Sequence, residues 1–114
     1  MLLCSAEARH ASAWDAVLTA FFIDACADVT QACEQVRAVL RKDGVWINHG
    51  PLLYHGPRGG PKLTADEVLL LLERSGFRLE ERGFRPCVYG QDESSMCRTE
   101  FNCLFFVARK TEVD

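Results

Sequence analysis

Trp14–Asp24 reads WDAVLTAFFID, a continuous apolar run with Val, Thr and three aromatics that stops abruptly at a carboxylate. A run without alternation fits a strand covered on both faces, as in a parallel sheet. Parallel neighbours cannot be joined by a tight turn, so a crossover must follow. The next residues supply one: Val29, Ala32, Cys33, Val36, Val39 and Leu40 recur at helical spacing between Asp28 and Lys42. Arg41 and Lys42 fall in the last turn and Gly44 follows, an ordinary helix stop. VWINHG then reads as a second strand. The unit is strand–helix–strand, with the right-handed crossover that joins parallel strands.

The loop from Pro51 to Lys62, with Gly50 at its entrance, holds three of the four prolines and, counting Gly50, four of the eight glycines. Its length suggests a functional lid. TADE, Thr64 to Glu67, is a capping box that opens a Leu-rich helix ending at Ser75 and Gly76. FRLEERGF, 77–84, alternates as an edge strand does. CVYGQDESSMCRTE is a long polar excursion, and FNCLFFVARK, 101–110, is apolar enough to lie inside a sheet. The expected fold is therefore α/β: two parallel strands and an antiparallel terminal hairpin, with helices, making half of a doubly wound sheet. Ligands in such sheets lie beyond the carboxyl ends of the strands. Asp24 sits at one such end, and the stretch from His49 to His55 follows the next.

Composition narrows the function. The 114 residues are 48% apolar, which suits one small globular domain. A net charge of −3 and a pI near 5.6 leave no basic face for nucleic acid. No apolar run approaches the ~20 residues of a membrane span. MLLCSAEARHASAW lacks a basic start and a long apolar stretch, so it does not read as a secretory signal. The expected location is cytoplasmic or nuclear. The six cysteines contain no CxxC pair, so free thiols are expected and no metal site. Cys26 and Cys33, seven apart, would share a helix face as small buried residues do. His49 and His55 lack a third ligand between them, and His49 receives no role. Tyr54 and Trp46 read as packing residues.

The combination of WDAVLTAFFIDACADV, GVWINHGPLLYH and the terminal CLFFVARK resembles the carnosine N-methyltransferase family. The resemblance covers about residues 14–110, leaving 1–13 as a non-matching N-terminal segment and 111–114 as a tail. It implies a class I, Rossmann-like fold that binds S-adenosylmethionine and methylates an imidazole nitrogen of carnosine to give anserine. Residue by residue, it implies that Asp24 contacts the substrate imidazole and that His55 lines the substrate site. Ala20 takes the place of a cofactor contact, commonly Cys in the family. Phe101 takes the place of a substrate-binding Tyr and lacks its hydroxyl.

The chemistry suits these assignments. Methyl transfer needs alignment of a nucleophilic nitrogen, and neutral imidazole carries one N–H and one lone pair. A carboxylate that accepts the N–H fixes the tautomer, which is the role implied for Asp24. The residues alone also allow Asp24 to be a cap of the following helix, and His55 to be an idle loop residue.

The family's glycine-rich motif after the first strand, and the acidic residue that holds the ribose, have no counterpart here. The resemblance thus implies the C-terminal half of the enzyme, rich in the substrate side and poor in the cofactor side. Three readings stay open. They are a portion of a carnosine N-methyltransferase, an inactive binding module without the cofactor site, and a methyltransferase fragment for another acceptor. The run at Ala16–Phe22, with Val17, Leu18, Phe21 and Phe22, would then be an open sheet edge prone to self-association.

Overall fold

The computed structural model describes residues 11–54, 62–89 and 93–111. Strand β1 (Trp14–Ala20) leads through a single 3-10 turn (Ile23–Ala25) to helix α1 (Val29–Val39) and strand β2 (Leu40–Gly50). Helix α2 (Ala65–Arg74), strand β3 (Phe77–Tyr89) and strand β4 (Thr99–Lys110) follow. The four strands form one sheet in the order β1-β2-β4-β3. β1 and β2 are parallel, and β4 is antiparallel to both β2 and β3. This is the expected architecture, with the FNCLFFVARK strand internal and the FRLEERGF strand at an edge. Among the described residues no helix is long and apolar enough to cross a membrane.

Local chemistry sets the elements and moves some of their bounds. Asp28 caps α1 by accepting from the Thr30 amide at 2.9 Å. The helix stops at Val39, three residues before Lys42, because Leu40 turns extended and pairs with Trp14 of β1. Leu40 is fully buried either way, so its helical spacing could not reveal the change. Cys26 lies before α1 instead of on it, and its thiol donates to the Ile23 carbonyl at 3.0 Å. Cys33 is on the helix and fully enclosed, and burial pushes its thiol up to about 12. The Thr64 capping box forms in full. Pairing between β3 and β4 runs out to Tyr89 and Thr99, so the hairpin absorbs both ends of the polar excursion. At its other end, Arg109 ties three strands. It donates to both Glu80 oxygens at 2.8 and 3.1 Å and to the Asp43 carbonyl at 2.7 Å, and it holds the Glu80 carboxyl down at about 2.

The largest departure concerns β1. Its apolar run does not reach Asp24 as a strand: Phe21 takes a φ of 54°, and the 3-10 turn follows. Nor is it covered on both faces, for Leu18 is 74% exposed. Among the described strands β1 pairs along one side only, and α1 and α2 pack on one face of the sheet around the buried core. Trp46 and Phe106 form its centre, ring edge against ring face at 5.2 Å, with Phe77 tilted 5.8 Å from Trp46. Tyr54 joins that core, as expected of a packing residue.

A polar relay crosses this core. The Trp46 indole donates to the Thr19 hydroxyl at 2.9 Å, which donates to Asn48 Oδ1 at 2.7 Å. Asn48 Nδ2 in turn donates to the Leu104 carbonyl at 3.1 Å. Three strands are thereby joined by side chains as well as by ladder bonds, and Asn48, only 1% exposed, is satisfied at both ends. Thr19→Val keeps the shape and strands both neighbours. It should cost about 1–3 kcal/mol, the penalty of unsatisfied buried groups, whereas Thr19→Ser should recover most of the loss. Urea unfolding of the three proteins checks this; equal midpoints for Val and Thr would mean the relay contributes nothing.

Candidate functional site

Strand direction brings several chain segments to one end of the sheet. Ala20 ends β1 opposite His49 near the end of β2, while Phe101 near the start of β4 pairs with Cys87 near the end of β3. The ladder places His49 opposite Phe105, two residues along from Cys103. Side chains alternate between faces along a strand. Since Trp46, Asn48, Leu104 and Phe106 face the helices, His49, Phe101, Cys103, Phe105 and Cys87 belong to the opposite face.

The exit from β1 is fixed by a close crossing. A Cβ on Gly50 would lie 2.8 Å from the Phe21 nitrogen and 3.0 Å from its Cα, so only glycine allows the two segments to meet. The Phe21 amide donates to the His49 carbonyl at 3.0 Å there. Phe21 and Tyr54 both hold a positive φ, 54° and 51°, which bulky residues adopt only when the surroundings impose it. The Phe21 ring consequently stacks on His49 at 6.4 Å and meets the Phe101 ring edge-on at 6.2 Å.

Asp24 is drawn inward by the same turn and is 2% exposed. Its Oδ2 accepts from the Leu53 amide at 3.1 Å, pinning the chain just after β2 against the chain just after β1. The cap of α1 is Asp28, so Asp24 is not committed to that task. The Asp24 charge is felt at Cys103, whose thiol is held above its usual range first by burial, then by Cys87 beside it, and then by Asp24. Burial likewise pushes the Tyr54 hydroxyl up.

Of the residues singled out from the sequence, Ala20 is exposed at the end of β1, Asp24 is buried behind it, and Phe101 is half-buried against Phe21. His55 lies outside the described residues, as does most of the expected lid. Among the described residues no strand is followed by a glycine-rich turn. Sequence reasoning missed Phe21, His49, Cys87 and Cys103. The Sγ atoms of Cys87 and Cys103 and a ring nitrogen of His49 all lie within 4.8 Å of one another. Three strands contribute one residue each, so no spacing along the chain could have announced the cluster.

Comparison with known proteins follows the same line. The family model for carnosine N-methyltransferase matches residues 2–112. Carnosine N-methyltransferase of Mus musculus is 32% identical over 106 residues, covering 89% of this chain and 26% of the mouse protein. The Drosophila melanogaster protein, carnosine N-methyltransferase unmet, is 32% identical over 108 residues, covering 90% of this chain and 24% of the fly protein. The chain thus spans about a quarter of the length of the curated relatives it matches. A SAM-dependent methyltransferase structure from Methanosarcina mazei superposes with a TM-score of 0.66 at 13% identity, over 90% of this chain and 61% of that one. The fold is that of class I S-adenosylmethionine-dependent methyltransferases, and the chain belongs to the carnosine N-methyltransferase family.

Proposed function

We propose that this chain carries the acceptor-binding side of a carnosine N-methyltransferase, with Asp24 as the group that orients the substrate imidazole. The observation that supports this best is an enclosed carboxylate just beyond the carboxyl end of β1, bonded to the Leu53 amide, while Asp28 serves as the cap of α1. A carboxylate has about four acceptor sites and can accept a substrate N–H beside the Leu53 amide. Accepting that N–H selects one imidazole tautomer and leaves the other nitrogen's lone pair free to react. The methylated ring carries a positive charge, and a buried carboxylate beside it offsets that charge where little water can. Phe21 and Phe101 would bound the flat ring. Phe101 lacks the hydroxyl that the family resemblance implies, so recognition there is by packing alone.

S-adenosylmethionine is the methyl donor this reading requires, and Ala20 would touch it. We assign its site mainly to other parts of the complete family fold. A second reading, a binding module that keeps the acceptor pocket without a donor site, has the same observation in its favour. Under the first reading the product is anserine.

β1 also bears on partners. It pairs along one side only among the described strands, and Leu18 at 74% and Trp14 at 48% are exposed on it. Such an edge templates pairing with another strand. In the complete fold that would be the rest of the sheet; for the chain alone it would be a second copy.

Three measurements test these proposals. In a chimera where this chain replaces the matching part of the mouse enzyme, Asp24→Asn should lower kcat/KM for carnosine by roughly 10- to 150-fold. That range corresponds to a charge-assisted hydrogen bond of about 1.5–3 kcal/mol. The affinity for S-adenosylmethionine should change little. Unaltered turnover would reduce Asp24 to a pin for Leu53. Calorimetry on the isolated chain should show no uptake of S-adenosylmethionine, and micromolar binding would place the donor site within it. Light scattering after size exclusion should find the isolated chain dimeric or larger at micromolar concentration. Leu18→Lys should shift it toward monomer, and Leu70→Lys on α2 should not; a wild-type monomer would remove the edge as a contact.

A further inference from the structure

The face of the sheet turned away from the helices carries a cluster that methyl transfer does not use. His49 on β2, Cys103 on β4 and Cys87 on β3 each project from the same face, and their candidate ligand atoms lie within 4.8 Å of one another. We propose that His49, Cys87 and Cys103 form a binding site for a thiophilic divalent cation, with zinc as the natural occupant. Two thiolates and an imidazole are a donor set that zinc takes in tetrahedral sites. Metal bonds of ~2.3 Å to sulfur and ~2.0 Å to nitrogen set ligand atoms about 3.5–3.8 Å apart around a tetrahedral centre. Side-chain rotation of roughly an ångström therefore closes the cluster, and the strands need not move.

Several features point to a cation instead of mere packing. His49 Nε2 is buried and has no hydrogen-bond partner among the described residues. Leaving a buried imidazole nitrogen unpaired is costly, and coordination of a metal through that nitrogen would satisfy it. Cys103 is fully buried and Cys87 half-buried, so the site is closed on one side and reachable on the other. The Cys87 thiol has a long contact, 3.8 Å, to the Val88 carbonyl and lies against the Cys103 thiol, weak sulfur contacts that a metal would readily replace. Charge also balances. A dication with two thiolates and a neutral imidazole is neutral overall, which keeps the cost of burial low. Each thiol gives up its proton on binding, so two protons pass to the solvent as two metal–sulfur bonds form, and nothing is oxidised or reduced. Arg85, the register partner of Cys103, is engaged elsewhere: its guanidinium lies 3.8 Å over the Phe105 ring and pairs with Glu81. With three protein ligands the fourth position stays open to water or to a small ligand. The cluster adjoins the proposed acceptor site, since Phe21 stacks on His49 and the Asp24 charge reaches Cys103, but none of its three ligands has a part in the methyltransferase reading.

The test uses the full 114-residue chain, purified with a reductant free of thiols and titrated with cobalt(II) as a spectroscopic stand-in for zinc. One equivalent should give thiolate-to-cobalt charge-transfer bands and the intense visible bands of tetrahedral geometry, and zinc should erase both. Cys87→Ser and His49→Gln should each weaken binding at least ~10-fold, while Cys97→Ser, at an exposed thiol, should leave it unchanged. Cys87 is half-exposed, so its variant should fold even if one at Cys103 does not, and far-ultraviolet circular dichroism checks this. Absence of the bands in the folded wild type would overturn the proposal. So would their persistence at full affinity in both variants, or their loss in Cys97→Ser. Formation of a Cys87–Cys103 disulfide under mild oxidant, with no metal uptake by the reduced chain, would also overturn it.

Discussion

The buried hydrogen-bond relay from Trp46 through Thr19 to Asn48 and on to Leu104 is what the sheet depends on at its centre. Each member is polar and sits in or against an apolar core, where an unmade bond is expensive. The register between β1 and β2 that puts Thr19 opposite Asn48 is therefore fixed by side chains and not only by the ladder. A slip of one residue would send Thr19 to the other face and leave the indole and the amide without partners. From that register everything at the strand ends follows. Ala20 falls opposite His49, Gly50 meets Phe21, and the chain must turn where Asp24 can be drawn under the Leu53 amide.

Backbone strain and burial meet at that same end. Two bulky residues with positive φ, a glycine crossing with no room for a methyl group, and an enclosed carboxylate all lie within a few residues of the β1 and β2 termini. Conformations of this kind persist only where surrounding packing imposes them, and they gather at sites that bind or react. The other end of the sheet is held differently. Arg109 bridges the Glu80 carboxylate and the carbonyl of Asp43, whose φ is 63°, close to the surface. The contrast agrees with the rule that ligands of open α/β sheets lie beyond the carboxyl ends of the parallel strands.

The uneven covering of the sheet explains both its partners and its chemistry. One face is sealed by α1 and α2 into a dry core. The opposite face keeps half-exposed residues such as Ile47, Phe105 and Val107, together with the His49, Cys87 and Cys103 cluster. Apolar area left beside a row of unpaired strand groups invites another strand or another layer. A buried imidazole nitrogen beside two thiols invites a cation. Both follow from the same cause, a sheet layered on one side.

Period and punctuation in the sequence determined which elements occur and in what order: the apolar run, the helical spacing after Asp28, the Thr64 capping box and the apolar last strand are each written in neighbouring residues. The family words around Asp24 and in GVWINHGPLLYH, together with CLFFVARK, were equally legible, because they are strings of adjacent residues. What the tertiary structure decided is everything that depends on strands meeting. Leu40 leaves the helix because it pairs with Trp14, β1 loses its cover because it sits at an edge, and Asp24 is freed from capping because Asp28 does it. His49, Cys87 and Cys103 stand 38 and 16 residues apart along the chain and converge only through the β2-β4-β3 register. A sequence records separation along the backbone, whereas contact across a sheet is set by pairing, and pairing is fixed only when the whole core closes.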